Sequence, residues 1–169
     1  MKTTSQYKVY SYITSFRIGA EEKDYLFIRK SQIPNSGNGL FTLIPIYKDE
    51  IISVFKGEIL SEKEAKLRII NGKSSYFINM PDGKILDCMR VKCYAKYAND
   101  AFGTLKFKFR NNSEIRFDET GRVCLIANRD ISANEEIFCS YGKEYWKNYI
   151  KIIKRIPSIS SHNNIKKSN

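Results

Sequence analysis

Histidine is nearly absent from this chain: the single one, His162, lies in a polar tail. The four cysteines, Cys88, Cys93, Cys124 and Cys139, include no Cys-x-x-Cys pair. These two shortages speak against a zinc site. They leave reduced, partly buried thiols as the expectation, which points to an intracellular protein with no metal. No apolar run approaches the roughly 20 residues of a membrane helix. The opening MKTTSQYKVYSYITSF has no continuous apolar stretch, so no secretory signal is expected. No internal repeat is visible. Acidic charge is also short: 29 Lys and Arg face 18 Asp and Glu, a net charge of +11. Such an excess favours contact with a polyanion. A lysine-rich surface inherited from an AT-biased genome accounts for it equally well.

What is present is a core and many strands. An apolar share of 42% and an aromatic share of 13% over 169 residues are enough for one domain. YLFIRKS (25–31) reads as a strand and QIPNSGNG (32–39) as a loop. LFTLIPI and IISVFKGEIL read as strands around the turn YKDE. Ser61 opens a helix with Glu64 at capping-box spacing, and Gly72 stops it. SSYFINM and KILDCM form a hairpin around PDG. LKFKFR (105–110) alternates, and VCLIANRDI and EEIFCSY are strands around SANE. A last helix spans about Lys143–Ile156 and ends at Pro157; residues 157–169 read as a disordered tail. Many short strands and one or two helices make a mostly β fold.

Four segments carry chemistry. NSGNGLF holds two glycines around one residue, a pattern that lets backbone approach a ligand closely. FKGEIL ends a strand on a glycine and a carboxylate. YAKYANDAF sets Asn99 and Asp100 among apolar residues, either as a turn or as an amide that binds something specific. ANRDISANEEIFCSYGKEYW places Tyr141 at a strand end before Gly142.

In this order and spacing the segments resemble the SET domain, the fold of protein-lysine methyltransferases, over roughly residues 24–147. SGNGLF resembles its first glycine motif, FKGEIL its aromatic-x-Gly-Glu strand, and Asp87 in LDCM the Asp of its middle hairpin. AKYAND resembles A-R-[FY]-I-N-H, and RDISANEEIFCSYG resembles R-D-I-x-x-G-E-E-L-x-x-D-Y-G. The resemblance implies a β-clip-like SET domain of several short-stranded sheets with a knot-like crossing at residues 24–147. A flank at 1–23 precedes it, and a basic helix end and tail at 148–169 follow it. It implies S-adenosyl-L-methionine as cofactor, bound on one face, with a substrate lysine entering a narrow channel from the other. Gly37, Asn38, Gly39, Tyr97, Asn99, Tyr141 and Trp146 would hold the cofactor, and Tyr141 would be the catalytic residue. Phe55, Tyr76, Phe107 and Tyr145 would wall the channel; core packing is the competing reading for each.

The departures are local. Asp100 stands where the family usually has His, although some branches carry Asn-Asp. Ser140 stands where the family has Asp. Cys139 replaces the Phe or Tyr that tunes how many methyls are added. The implied function is a histone-lysine methyltransferase and chromatin regulator, nuclear if histone is the substrate. The alternatives are a methyltransferase of a non-histone lysine and a catalytically silent chromatin- or protein-binding module. Glu58, Glu62, Glu64, Asp82 and Asp87 would give an acidic groove for a basic tail. Lys147, Lys151, Lys154, Arg155, Lys166 and Lys167 would give a basic end for nucleosomal DNA, or else only a solvated tail.

Overall fold

The computed structural model describes residues 18–102, 109–143 and 145–146. Residues 105–108 of the strand expected at 105–110, with Phe107, the helix beyond residue 146 and the tail lie outside the described residues; Phe109 and Arg110 are described and are not in a strand. Among those described, nine strands follow in chain order: β1 (Leu26–Lys30), β2 (Asn38–Thr42), β3 (Ile51–Val54), β4 (Glu58–Leu60), β5 (Phe77–Asn79), β6 (Ile85–Asp87), β7 (Ser113–Phe117), β8 (Val123–Ala127) and β9 (Glu136–Ile137). They form three small antiparallel sheets ordered β1-β2-β9, β3-β8-β7 and β4-β6-β5. Helices are few: α1 (Glu22–Tyr25), α2 (Glu62–Ile70) and a 3-10 turn at Ala95–Tyr97. Among the described residues no helix is long and apolar enough to cross a membrane.

The β1-β2-β9 and β3-β8-β7 sheets meet on one main core, while the β4-β6-β5 sheet packs through Leu86 on a separate cluster with Cys88 and Val123. Leu40, Ile46, Ile52, Leu125, Ile131 and Ile137 are fully buried in the main core, packed with Tyr25 and Leu26. Each such side chain stabilises the fold by about 1.5–3 kcal/mol. All four cysteines are buried free thiols. Cys93 accepts hydrogen bonds from the Cys88 thiol and the Lys56 amide, which holds its pKa down and pushes that of Cys88, the donor, up.

Three expectations change in detail. IISVFKGEIL is not one strand but two, β3 and β4, in different sheets. Gly57 lies between them, and a Cβ there would come within 2.5 Å of the Asp87 carbonyl oxygen, so the chain turns where only glycine fits. β2 begins at Asn38, inside the segment expected to be loop, because Asn38 and Gly39 pair with Lys30 and Arg29. The strand from Leu40 stops at Thr42, whose hydroxyl donates to the Ile44 carbonyl and accepts its amide, turning the chain. α1 and β7 were not anticipated. α1 straddles the expected boundary between flank and domain at 23/24, and Glu22, on the flank side, accepts hydrogen bonds from the Ser53 hydroxyl and the Val54 amide of β3. The α2 cap is as read: Ser61 and Glu64 make both halves of a capping box.

Candidate active site

The site begins where residues 136–141 run between two other segments. Asn99 bridges to Phe138, and Ser113 bridges to Cys139, both in parallel sense. The Cys139 amide donates to the Asn99 carbonyl at 2.8 Å. On the other side, the Phe138 carbonyl accepts from the amides of Asn112 and Ser113 and from the Ser113 hydroxyl. Asn112, fully buried, donates to the Glu136 carbonyl and accepts from the Phe138 amide. This crossing delivers Tyr141 to the Asn99 segment.

Asn99 answers the question its setting raised. Its side-chain amide donates to the Asn38 carbonyl at 3.0 Å, joining the third motif to the glycine loop. Tyr141 closes the circle, because its hydroxyl donates to the Ala98 carbonyl at 3.1 Å. Burial raises the phenol pKa, with Tyr145, Cys139, Asp100 and Tyr76 adding to the effect, so the group stays neutral at physiological pH. Its oxygen lone pairs remain able to accept a hydrogen bond. Gly37 adopts φ +69°, and among the described residues no atom lies within 4 Å of where its Cβ would stand. The loop therefore offers open backbone beside Asn38.

Aromatic rings complete the wall. Tyr141 and Trp146 stack at 6.4 Å with planes 14° apart, and Tyr145 meets Tyr141 edge-on at 4.8 Å. Tyr97 and Tyr76 flank the Lys96 ammonium, at 5.6 and 5.7 Å from their ring centres. That ammonium donates to the carbonyls of Cys88, Met89 and Val91, so it is held in place. Phe55 packs against the main core and against a second cluster with Leu86, Cys88 and Val123, and lines an open groove of about 830 Å³ with Ile59, Met80 and Tyr94. The structure thus gathers Asn38, Asn99, Tyr141, Tyr145 and Trp146, and puts Phe55 on that groove.

Glu136 was missed. It is fully buried, accepts from the Ser31 hydroxyl at 2.6 Å and the Gln32 amide at 2.7 Å, and so braces the strand that leads into the glycine loop. A Cβ on Gly39 would lie 2.1 Å from its carboxylate oxygen, which explains the second glycine of the motif. Lys96 and Asn112 were missed too. The signal for Glu136 was a glutamate heading an apolar strand, a position where only a partnered carboxylate survives burial.

The acidic residues expected in a substrate groove are committed elsewhere. Arg68 of α2 pairs with both Glu58 and the buried Asp87. Glu62 pairs with Lys66, Asp82 with Lys84, and Glu64 serves the α2 cap. Glu58 and Asp87 thereby hold the β4-β6-β5 sheet to α2, while Glu62 and Asp82 sit in exposed local pairs. Among the described residues no group of three His, Cys, Asp or Glu could hold a metal ion.

A family model described as the SET domain matches residues 37–142, well over half of the chain, from the glycine loop to the residue after Tyr141. The histone-lysine N-methyltransferase mes-2 of Caenorhabditis elegans is 37% identical over 67 residues, which is 38% of this chain and 9% of that protein. The chain therefore aligns with only a small part of that relative's length. With small antiparallel sheets, the matched motifs and the Asn99–Asn38–Tyr141 junction in place, the chain belongs to the SET-domain family.

Proposed function

We propose that this chain is an S-adenosyl-L-methionine-dependent protein-lysine N-methyltransferase, with a histone lysine as its substrate and the domain at residues 24–147. The observation that carries the reading is the junction itself: the Asn99 amide on the Asn38 carbonyl, with the Tyr141 phenol beside it. When bound, the cofactor supplies an activated methyl on a sulfonium. The residues suit it: Gly37 leaves backbone open to the donor's polar end, and the stacked faces of Tyr141 and Trp146 attract a cation.

The chain's own groups do the rest. Methyl transfer to an amine needs the lysine neutral, against a free pKa of ~10.4. Aromatic walls at Tyr76, Tyr97, Tyr141 and Tyr145 desolvate the ammonium and lower that pKa. The pinned Lys96 charge beside Tyr76 and Tyr97 acts in the same direction by like-charge repulsion. The Tyr141 oxygen can accept from the incoming amine and aim its lone pair, an orientation effect worth several kcal/mol in favourable cases.

The test is transfer of radiolabelled methyl from S-adenosyl-L-methionine to core histones, with whole lysate in parallel. Wild type labels a histone, and Tyr141→Phe loses about 10²-fold or more in rate. Label in lysate but not on histones moves the substrate to another protein. Cofactor binding without any transfer favours the silent binding module, a reading that rests on Asp100 and Ser140. A histone substrate would place the protein in the nucleus.

A further inference from the structure

The departure at residue 100 is also the most connected polar side chain near the site. Asp100 is 6% exposed. Its Oδ1 accepts from the Phe102 amide at 2.8 Å and the Asn111 side-chain amide at 2.9 Å. Its Oδ2 accepts from the Tyr141 amide at 2.7 Å and the Trp146 indole N–H at 2.8 Å. One oxygen thus serves Asp100's own neighbourhood, and the other serves the C-terminal segment that carries the aromatic wall. All four of these partners are neutral donors, so among the described residues the carboxylate's charge is spread over hydrogen bonds and not cancelled by a cation. The exposed Phe102 ring also meets Trp146, at 6.0 Å.

We propose that Asp100 is a positioning residue, a two-sided clamp that fixes the Tyr141 backbone and the Trp146 ring to the Asn99 segment so that phenol and aromatic wall are placed together. The role rests on the methyltransferase reading above. No other side chain of this size supplies the geometry. A neutral imidazole, which the family resemblance puts here, has one acceptor nitrogen and cannot receive four N–H groups. An asparagine has one acceptor oxygen, and its NH₂ would face two of the four donors whichever way it turned. Asp100 therefore replaces the usual His with a side chain that can meet all four donors at once.

Trp146 is the only tryptophan of the chain, so its fluorescence reads the clamp without reference to activity. Asp100→Ala, which removes both acceptor oxygens, should shift the Trp146 emission to the red as the indole N–H turns to water. Asp100→Asn, which leaves one pair of donors without an acceptor whichever way the amide turns, should lower kcat by roughly ten- to a hundredfold with little change in the KM for peptide, because displacement by about 1 Å misaims the phenol. Trp146→Phe, which deletes one donor to Oδ2, should lower kcat less, and the double variant should be no worse than Asp100→Asn alone. A folded Asp100→Asn protein with wild-type kcat overturns the inference, and so does a folded Asp100→Ala protein with unshifted Trp146 emission. So do additive losses, the mark of two unrelated structural defects. If Asp100→Asn does not fold, Trp146→Phe decides: unchanged kcat overturns the clamp. The functional reading fails separately. A wild type that binds no labelled S-adenosyl-L-methionine in equilibrium dialysis sinks it and the positioning role with it. Transfer by wild type and Asp100→Asn alike sinks the clamp alone.

Discussion

The hydroxyl of Tyr25 donates to the Ile52 carbonyl at 2.8 Å, across 27 residues of chain, and ties α1 to β3 inside the main core. Burial, with Glu22 and Glu50 nearby, pushes its pKa up to about 12. The folded pKa lies above the unfolded value of ~10, so this contribution is complete below pH ~10 and is lost as pH rises through about 12. Tyr25→Phe should therefore cost about 1 kcal/mol at neutral pH and flatten the fall in stability above pH ~10. Urea unfolding across that range measures both. At this scale the sequence was legible wherever a motif assigned the residue, as for Asn99 and Tyr141. It was silent on Glu136 and Asn112, whose partners lie far away in the chain: Ser31 is 105 residues from Glu136. Pattern and spacing along a chain carry no information about such pairings.

The elements divide in the same way. The α2 cap could be read because Ser61 and Glu64 interact within one helical turn. The split of residues 51–60 into β3 and β4 could not, because its cause is the Asp87 carbonyl packed against Gly57. Nor did the sequence disclose that α2 is held to the β4-β6-β5 sheet by one arginine. Arg68 serves Glu58 at 2.5 Å and also Asp87, which is 1% exposed. Arg68→Ala leaves that buried carboxylate without its cation and should lower the melting temperature distinctly. Lys66→Ala, which removes an exposed pair on the same helix, should barely move it. Equal shifts by calorimetry would refute the distinction.

For the whole molecule, the net charge of +11 favours an anionic partner, while a basic histone tail would be repelled. The internal pairing of Glu58 and Asp87 removes two carboxylates from any acidic groove. If the six basic residues between Lys147 and Lys167 meet nucleosomal DNA, log K against log salt for nucleosomes should fall with a slope of up to about −5. Free tail peptide should show a much shallower slope. Equal slopes, measured by titration at several salt concentrations, would exclude the DNA contact.

Composition and ordered motifs determined, by themselves, that the chain folds into many short strands and carries the SET pattern, because those features are written in local periodicity and residue type. The tertiary structure decided which carboxylates are free and which are structural. It also decided that Asp100, a departure from the pattern, receives four N–H donors from three separate stretches of chain. The physical reason is that hydrogen bonds and ion pairs depend on distance in space, and only the folded backbone brings residues 31, 99, 112, 136 and 141 close enough to form them.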